Sequence, residues 1–171
     1  MRKFKGYNTI AEEEILAVNK VMKTGVLSKY LASPGQHFNG GPQVLKFESA
    51  IKKYFKVKYA LTLNSWTSGL IACIGALDLS PGDEIIVTTW SMCASATAIV
   101  HWNCIPVFAD IDPETYNIDP TSIEKKITKK TKAIMTVDIF GQSCDIRSIL
   151  KIAKKYNLKV ISDSAQSIGS K

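Results

Sequence analysis

The spacing of apolar residues changes character near residue 58. Before it, apolar positions recur at helical spacing: Val44, Phe47, Ile51 and Phe55 fall on one face of a helix that Pro42 can open. An earlier helix is predicted to start at Thr9, where Thr9 and Glu12 have capping-box spacing, and to stop at Gly25. Between them lies a loop of small and polar residues from Ser28 to Gly41. From Lys58 onward, short apolar runs alternate with helical segments. The runs are YALTL, EIIVTT, CIPVFAD, KAIMTV and KVISD; helices are predicted roughly over 66–78, 92–102, 120–127 and 145–157. Asp119, before Pro120, and Asp145 stand where N-caps belong. Five strands alternating with four helices predict an α/β fold, a mostly parallel sheet with helices on its faces.

Composition narrows the class. The chain has 171 residues, 46% hydrophobic and 22% charged, which suits a soluble globular protein. No apolar run approaches the ~20 residues that span a bilayer. The N-terminus has basic residues but no apolar stretch behind them, so a cytoplasmic protein without a secretory signal is expected. The four cysteines, Cys73, Cys93, Cys104 and Cys144, form no CxxC pair and are expected to be reduced and packed. His37 and His101 lack a second ligand at metal spacing, so no metal site is expected. The net charge of +7 comes largely from lysines at helical spacing, read as solvated faces. Without an arginine cluster or interleaved aromatics, nucleic acid is not the expected partner. A positive field does suit a diphosphate-bearing small molecule.

In parallel sheets, ligands bind beyond the carboxyl ends of the strands and at helix N-termini. Two segments stand there. Asn64-Ser65-Trp66-Thr67-Ser68-Gly69 leads from the first predicted strand into a helix, offering free N–H groups and side-chain hydroxyls to a phosphate. It is neither GxGxxG nor GxxxxGK, which disfavours a dinucleotide site or a P-loop. Ser65 or Thr67 serves equally as a plain helix cap. The last predicted strand ends in Asp163-Ser164-Ala165-Gln166. A carboxylate at the end of an interior strand calls for a cationic partner, such as a protonated pyridine nitrogen, though capping the next segment or pairing a lysine would also account for it.

These segments, with GQHFNGGPQVLKFESAIKKYF, SPGDEIIVTTWSMCASATAI, PVFADIDPETYNIDP, DIFGQSCD and DSAQ in that order, resemble the DegT/StrS family of pyridoxal 5′-phosphate (PLP)-dependent sugar aminotransferases over nearly the whole chain. The resemblance implies the three-layer fold of the PLP-dependent transferase large domain, incomplete in this chain. Residues 1–57 would supply N-terminal helices and an entry loop, and 58–171 the first part of the PLP-binding domain. It implies transfer of an amino group, commonly from glutamate, to a keto-sugar on a nucleotide diphosphate, as in polysaccharide or lipopolysaccharide biosynthesis, by a homodimer. Thr67 and Ser68 would cradle the phosphate, Met92 would cover the pyridine face, Asp163 would pair with the ring nitrogen, and Gln166 would bond the phenolic oxygen. Trp66 stands where glycine or alanine is usual, Met92 where an aromatic ring is usual, and Asp138 where histidine is common. Trp90 is expected to point to the other side. The Schiff-base lysine is expected after Lys171, so the chain is read as a truncated, inactive portion with its first strand, YALTL, lacking a neighbour. A sugar dehydratase of the same family and a non-catalytic remnant remain as alternatives.

Overall fold

The computed structural model describes residues 10–27, 29–30, 33–35 and 38–170. The chain divides into two units between Thr62 and Leu63. In the first unit, α1 (Glu12–Met22) begins where the Ala11 N–H donates to Glu14 Oε2 at 2.7 Å. The predicted start at Thr9 lies outside the described residues. Helix α2 (Pro42–Phe55) opens on its proline and ends at Lys56 in the left-handed region. The apolar face predicted for it is only partly covered: Val44 and Ile51 are half-buried, but Phe47 is 57% and Phe55 41% exposed. Its buried side chain is Glu48, whose Oε1 accepts the Thr62 N–H at 2.9 Å and the Thr62 hydroxyl at 3.0 Å.

The second unit is a sheet of β1 (Glu84–Thr88), β2 (Ile105–Ala109), β3 (Thr131–Val137) and β4 (Lys159–Asp163), in the order β2-β1-β3-β4 and parallel throughout. Side chains alternate between its faces. Ile85, Val87, Ala133, Met135 and Ile161 pack against α3 (Trp66–Gly75) and α4 (Ala94–His101). Ile86, Ala109 and Ile134 pack against α5 (Pro120–Lys126) and α6 (Ile146–Tyr156). Asp119 caps α5 through the Thr121 and Ser122 N–H groups, and Asp145 caps α6 through Ser148, as the sequence predicts. This is the expected three-layer α/β arrangement.

Two expectations fail. Residues 59–63 are not a strand: Tyr59, Leu61 and Leu63 are 75%, 82% and 51% exposed. A strand needs a partner backbone, and no described residue pairs with this run, whatever its apolar pattern. Cys104 and Cys144 are buried, but Cys93 is exposed at the start of α4, where the chain leaves the sheet.

The chain leaves β1 for β2 on one side, then returns across β1 to β3 and β4 on the other. The two directions send α4 and α5 to opposite faces, because crossovers are right-handed. The carboxyl ends of β1 and β3 thus flank the point where strand order reverses, where open α/β sheets bind ligands.

Thr136 in β3 is fully buried, and its hydroxyl has no partner among the described residues. Thr136→Val keeps the shape and removes that orphan, so the variant should gain about 1 kcal/mol of stability. A urea midpoint that rises with an unchanged slope supports this. A fall would show that the hydroxyl is partnered.

Candidate cofactor site

At the carboxyl end of the sheet lies a cavity of about 140 Å³. Thr67, Met92, Asp163 and Gln166 line it, and so does Trp66. Ser68 and Trp90 do not. Residues far apart in sequence meet here because α3 starts, β4 ends and the loop after β1 turns at the same edge of the sheet.

Ser65 caps α3: its Oγ accepts the Ser68 N–H at 3.2 Å, and its hydroxyl donates to Ser68 Oγ at 3.1 Å. The Ser68 N–H is thereby engaged within the turn. Those of Trp66 and Thr67 have no acceptor among the described residues. The cap and the anion site are therefore compatible, since capping satisfies one donor and leaves the first two open at the positive end of the helix.

Asp163 closes β4, which is an edge of the four-stranded sheet and not an interior strand as expected. The carboxylate is nonetheless only 7% exposed. Its Oδ1 accepts the Trp66 indole N–H at 2.5 Å and the Ala165 N–H at 3.2 Å. Its Oδ2 has a longer contact, 3.4 Å, from the buried Ser95 hydroxyl, which in turn meets Ser91 Oγ at 2.9 Å. Neutral donors thus partner a carboxylate for which a cation was expected. Met92 is 73% exposed at the cavity's edge. Gln166 Oε1 accepts the Phe140 N–H at 2.7 Å, leaving its amide N–H groups for another partner. Trp90 pairs instead with Tyr116, ring centroids 6.2 Å apart.

The loop after β3 is held by residues whose roles had no local signal. Asp138 is 7% exposed. It accepts the Cys144 N–H at 3.0 Å, the Ser164 hydroxyl at 3.1 Å and the Ser167 hydroxyl at 2.7 Å. Asn117 Oδ1 accepts the Ile139 N–H at 3.0 Å, and its Nδ2 donates to Gln142 O at 3.1 Å. Gly141, at φ +83°, lets the loop pass where a Cβ would meet Gln166 O at 3.3 Å. Burial pushes Asp138 up, but its hydrogen bonds outweigh this and hold it below the ordinary aspartate value of 3.8. Burial, followed by the neighbouring Asp138, pushes the Cys144 thiol up to about 12, so it stays a packed thiol.

Asp138→Ala leaves these donors unpaired and should cost about 2–4 kcal/mol near neutral pH. A folded pKa below the unfolded one means stability that is present above 3.8 and lost as pH falls through the folded value. The gap between Asp138→Ala and the unaltered protein should therefore be flat near neutrality and shrink below pH 3.8, read by denaturant melts across pH. A gap that widens in acid would contradict the assignment.

The chain matches the family model of the DegT/DnrJ/EryC1/StrS aminotransferase family over residues 8–171. It is 37% identical over 159 residues to the spore coat polysaccharide biosynthesis protein SpsC of Bacillus subtilis, covering 93% of this chain and 38% of that one. It is 47% identical over 130 residues to dTDP-3-amino-3,6-dideoxy-alpha-D-galactopyranose transaminase of Aneurinibacillus thermoaerophilus, covering 76% and 36%. Its fold superposes with a TM-score of 0.85, at 28% identity, on the E. coli GDP-4-keto-6-deoxy-D-mannose-3-dehydratase with bound hydrated PLP, covering 96% and 41%. The chain thus spans about two fifths of the length of the curated relatives it matches.

Proposed function

The chain belongs to the DegT/DnrJ/EryC1/StrS aminotransferase family, and from that premise we propose that it forms the cofactor-holding part of a PLP-dependent enzyme. That enzyme transfers an amino group, from glutamate, to a nucleotide-linked keto-sugar for polysaccharide or lipopolysaccharide assembly. The observation that carries this reading is the buried Asp163 carboxylate in a cavity that Trp66 and Thr67, whose N–H groups have no acceptor among the described residues, also line. An anion at one end and a ring N–H at the other fit that pair of features. The SpsC and transaminase relatives support the sugar and the amino group.

The cofactor, when bound, supplies an electron sink for the substrate carbon. The chain's own residues do the rest. The Trp66 and Thr67 N–H groups and the helix dipole bind the phosphate, with Ser68 close by in the same turn. Asp163 holds the ring proton at the pyridine nitrogen through Oδ2. Gln166 offers its amide N–H to the phenolic oxygen while its Oε1 stays on Phe140. Met92 covers the ring with a polarizable thioether. The same residues suit a sugar dehydratase, a reading favoured by the likeness to the E. coli enzyme. A product bearing nitrogen from labelled glutamate selects the transaminase, and a deoxy-sugar without it selects the dehydratase. We place the protein in the cytoplasm; no described helix is long and apolar enough to cross a membrane. We read it as a homodimer, since α1 exposes Leu16, Val18 and Met22.

Asp163→Asn, in the protein at its natural length, should weaken PLP binding and lower turnover by orders of magnitude, about 3–5 kcal/mol for a lost buried ion-pair partner. Turnover near that of the unaltered enzyme would sink the assignment. Met92→Tyr should bind PLP as well or better and Met92→Asp worse, by absorbance titration. Equal affinity in all three would reduce Met92 to packing.

A further inference from the structure

Trp66 stands where a small residue is usual, yet its indole is built into the cavity wall. The Nε1–H reaches 97 positions along the chain to Asp163 Oδ1, at 2.5 Å. The ring lies over Gly69, where an added Cβ would meet Trp66 Cε3 at 2.7 Å and Cζ3 at 3.0 Å. Gly69 sits inside α3 with no positive φ, so its lack of a side chain serves space and not backbone freedom. Trp66 is 43% exposed as a residue, yet its indole N–H is on the buried carboxylate. The Ala165 N–H meets the same oxygen, so two donors saturate Oδ1. Oδ2 is left with the 3.4 Å Ser95 contact and has capacity to spare.

We propose that Trp66 is the positioning residue for Asp163: its indole N–H, with the ring seated on Gly69, turns the carboxylate so that Oδ2 receives the cofactor's ring N–H. Without the indole N–H, the carboxylate would keep only the Ala165 N–H and the longer Ser95 contact, and would be freer to turn about its two torsions. A planar indole gripped by the helix removes that freedom before the cofactor arrives, and preorganisation raises affinity by sparing the ordering cost at binding. The same contact draws α3 to the end of β4, so the phosphate donors and the pyridine partner are set at one separation. This inference rests on the cofactor reading above.

The test is a double-mutant cycle on PLP affinity in the protein at its natural length, by absorbance titration of the cofactor-free form. Trp66→Phe keeps a ring over Gly69 and removes the N–H. It should raise the PLP dissociation constant roughly ten-fold, as the loss of one hydrogen bond to a charged group does. In an Asp163→Asn background it should change nothing further. The pH midpoint of the bound cofactor's visible absorbance should also shift in Trp66→Phe, which loosened packing alone would not produce. Gly69→Ala displaces the ring with its N–H intact and provides an independent variant should Trp66→Phe fold poorly. It should weaken binding in the same direction and lose that effect beside Asp163→Asn. Equal penalties for either variant with and without Asp163 would overturn the proposal and leave the cofactor reading standing, provided Asp163→Asn itself weakens binding. Absence of PLP binding by the unaltered protein would overturn both.

Discussion

Two buried carboxylates at adjacent strand ends set the terms for the rest of this unit. Asp138 follows β3 and Asp163 ends β4; the Asp138 N–H donates to the Asp163 carbonyl at 3.0 Å. Neither has an ion-pair partner among the described residues. Burying a carboxylate without a cation is tolerable only when donors surround it. Both sites meet that demand, but differently. Asp138 takes three donors from its own loop and the Ser164–Ser167 turn, so both oxygens are engaged. Asp163 has its firm donors on one oxygen and keeps the other in reserve. The first arrangement holds a fold together, and the second suits a ligand.

The same division of labour holds the lining of the cavity in place. The turn after β4 carries Gln166, and Asp138 holds that turn through its serines. Gln166 then fixes the Phe140 backbone, and Asn117 fixes the neighbouring Ile139 and Gln142. Residues facing the cavity are thus supported by residues that do not, and such a supporting layer determines whether a site is held to within fractions of an ångström. Phe140 and Tyr116, both with positive φ, lie in these supported loops.

Much of the architecture was legible in local pattern. The apolar runs of β1 to β4, the caps Asp119 and Asp145 and the opening Pro42 all act within a few residues of themselves. The order of the sequence blocks also carried the family resemblance. The run at 59–63 shows the limit. Its composition is that of a strand, but strand formation depends on a neighbouring backbone, which the pattern of one segment cannot specify. The apolar face of α2 repeats the lesson, since periodicity marks a face without saying what covers it.

At the site, the sequence by itself determined which residue types were available: a helix start with open N–H groups, and a carboxylate and an amide at a strand end. It also marked Trp66, Met92 and Asp138 as unusual. Only the tertiary structure decided where the side chains of Trp66 and Asp138 go. The indole of Trp66 could have covered the open start of α3, but it folds over Gly69 onto Asp163. Asp138 could have entered the cavity, but it turns into its own loop. The physical reason is range. Caps and periodicities act across three or four residues, whereas the choice of hydrogen-bond partner for a buried carboxylate depends on what the whole fold brings within 3 Å of it.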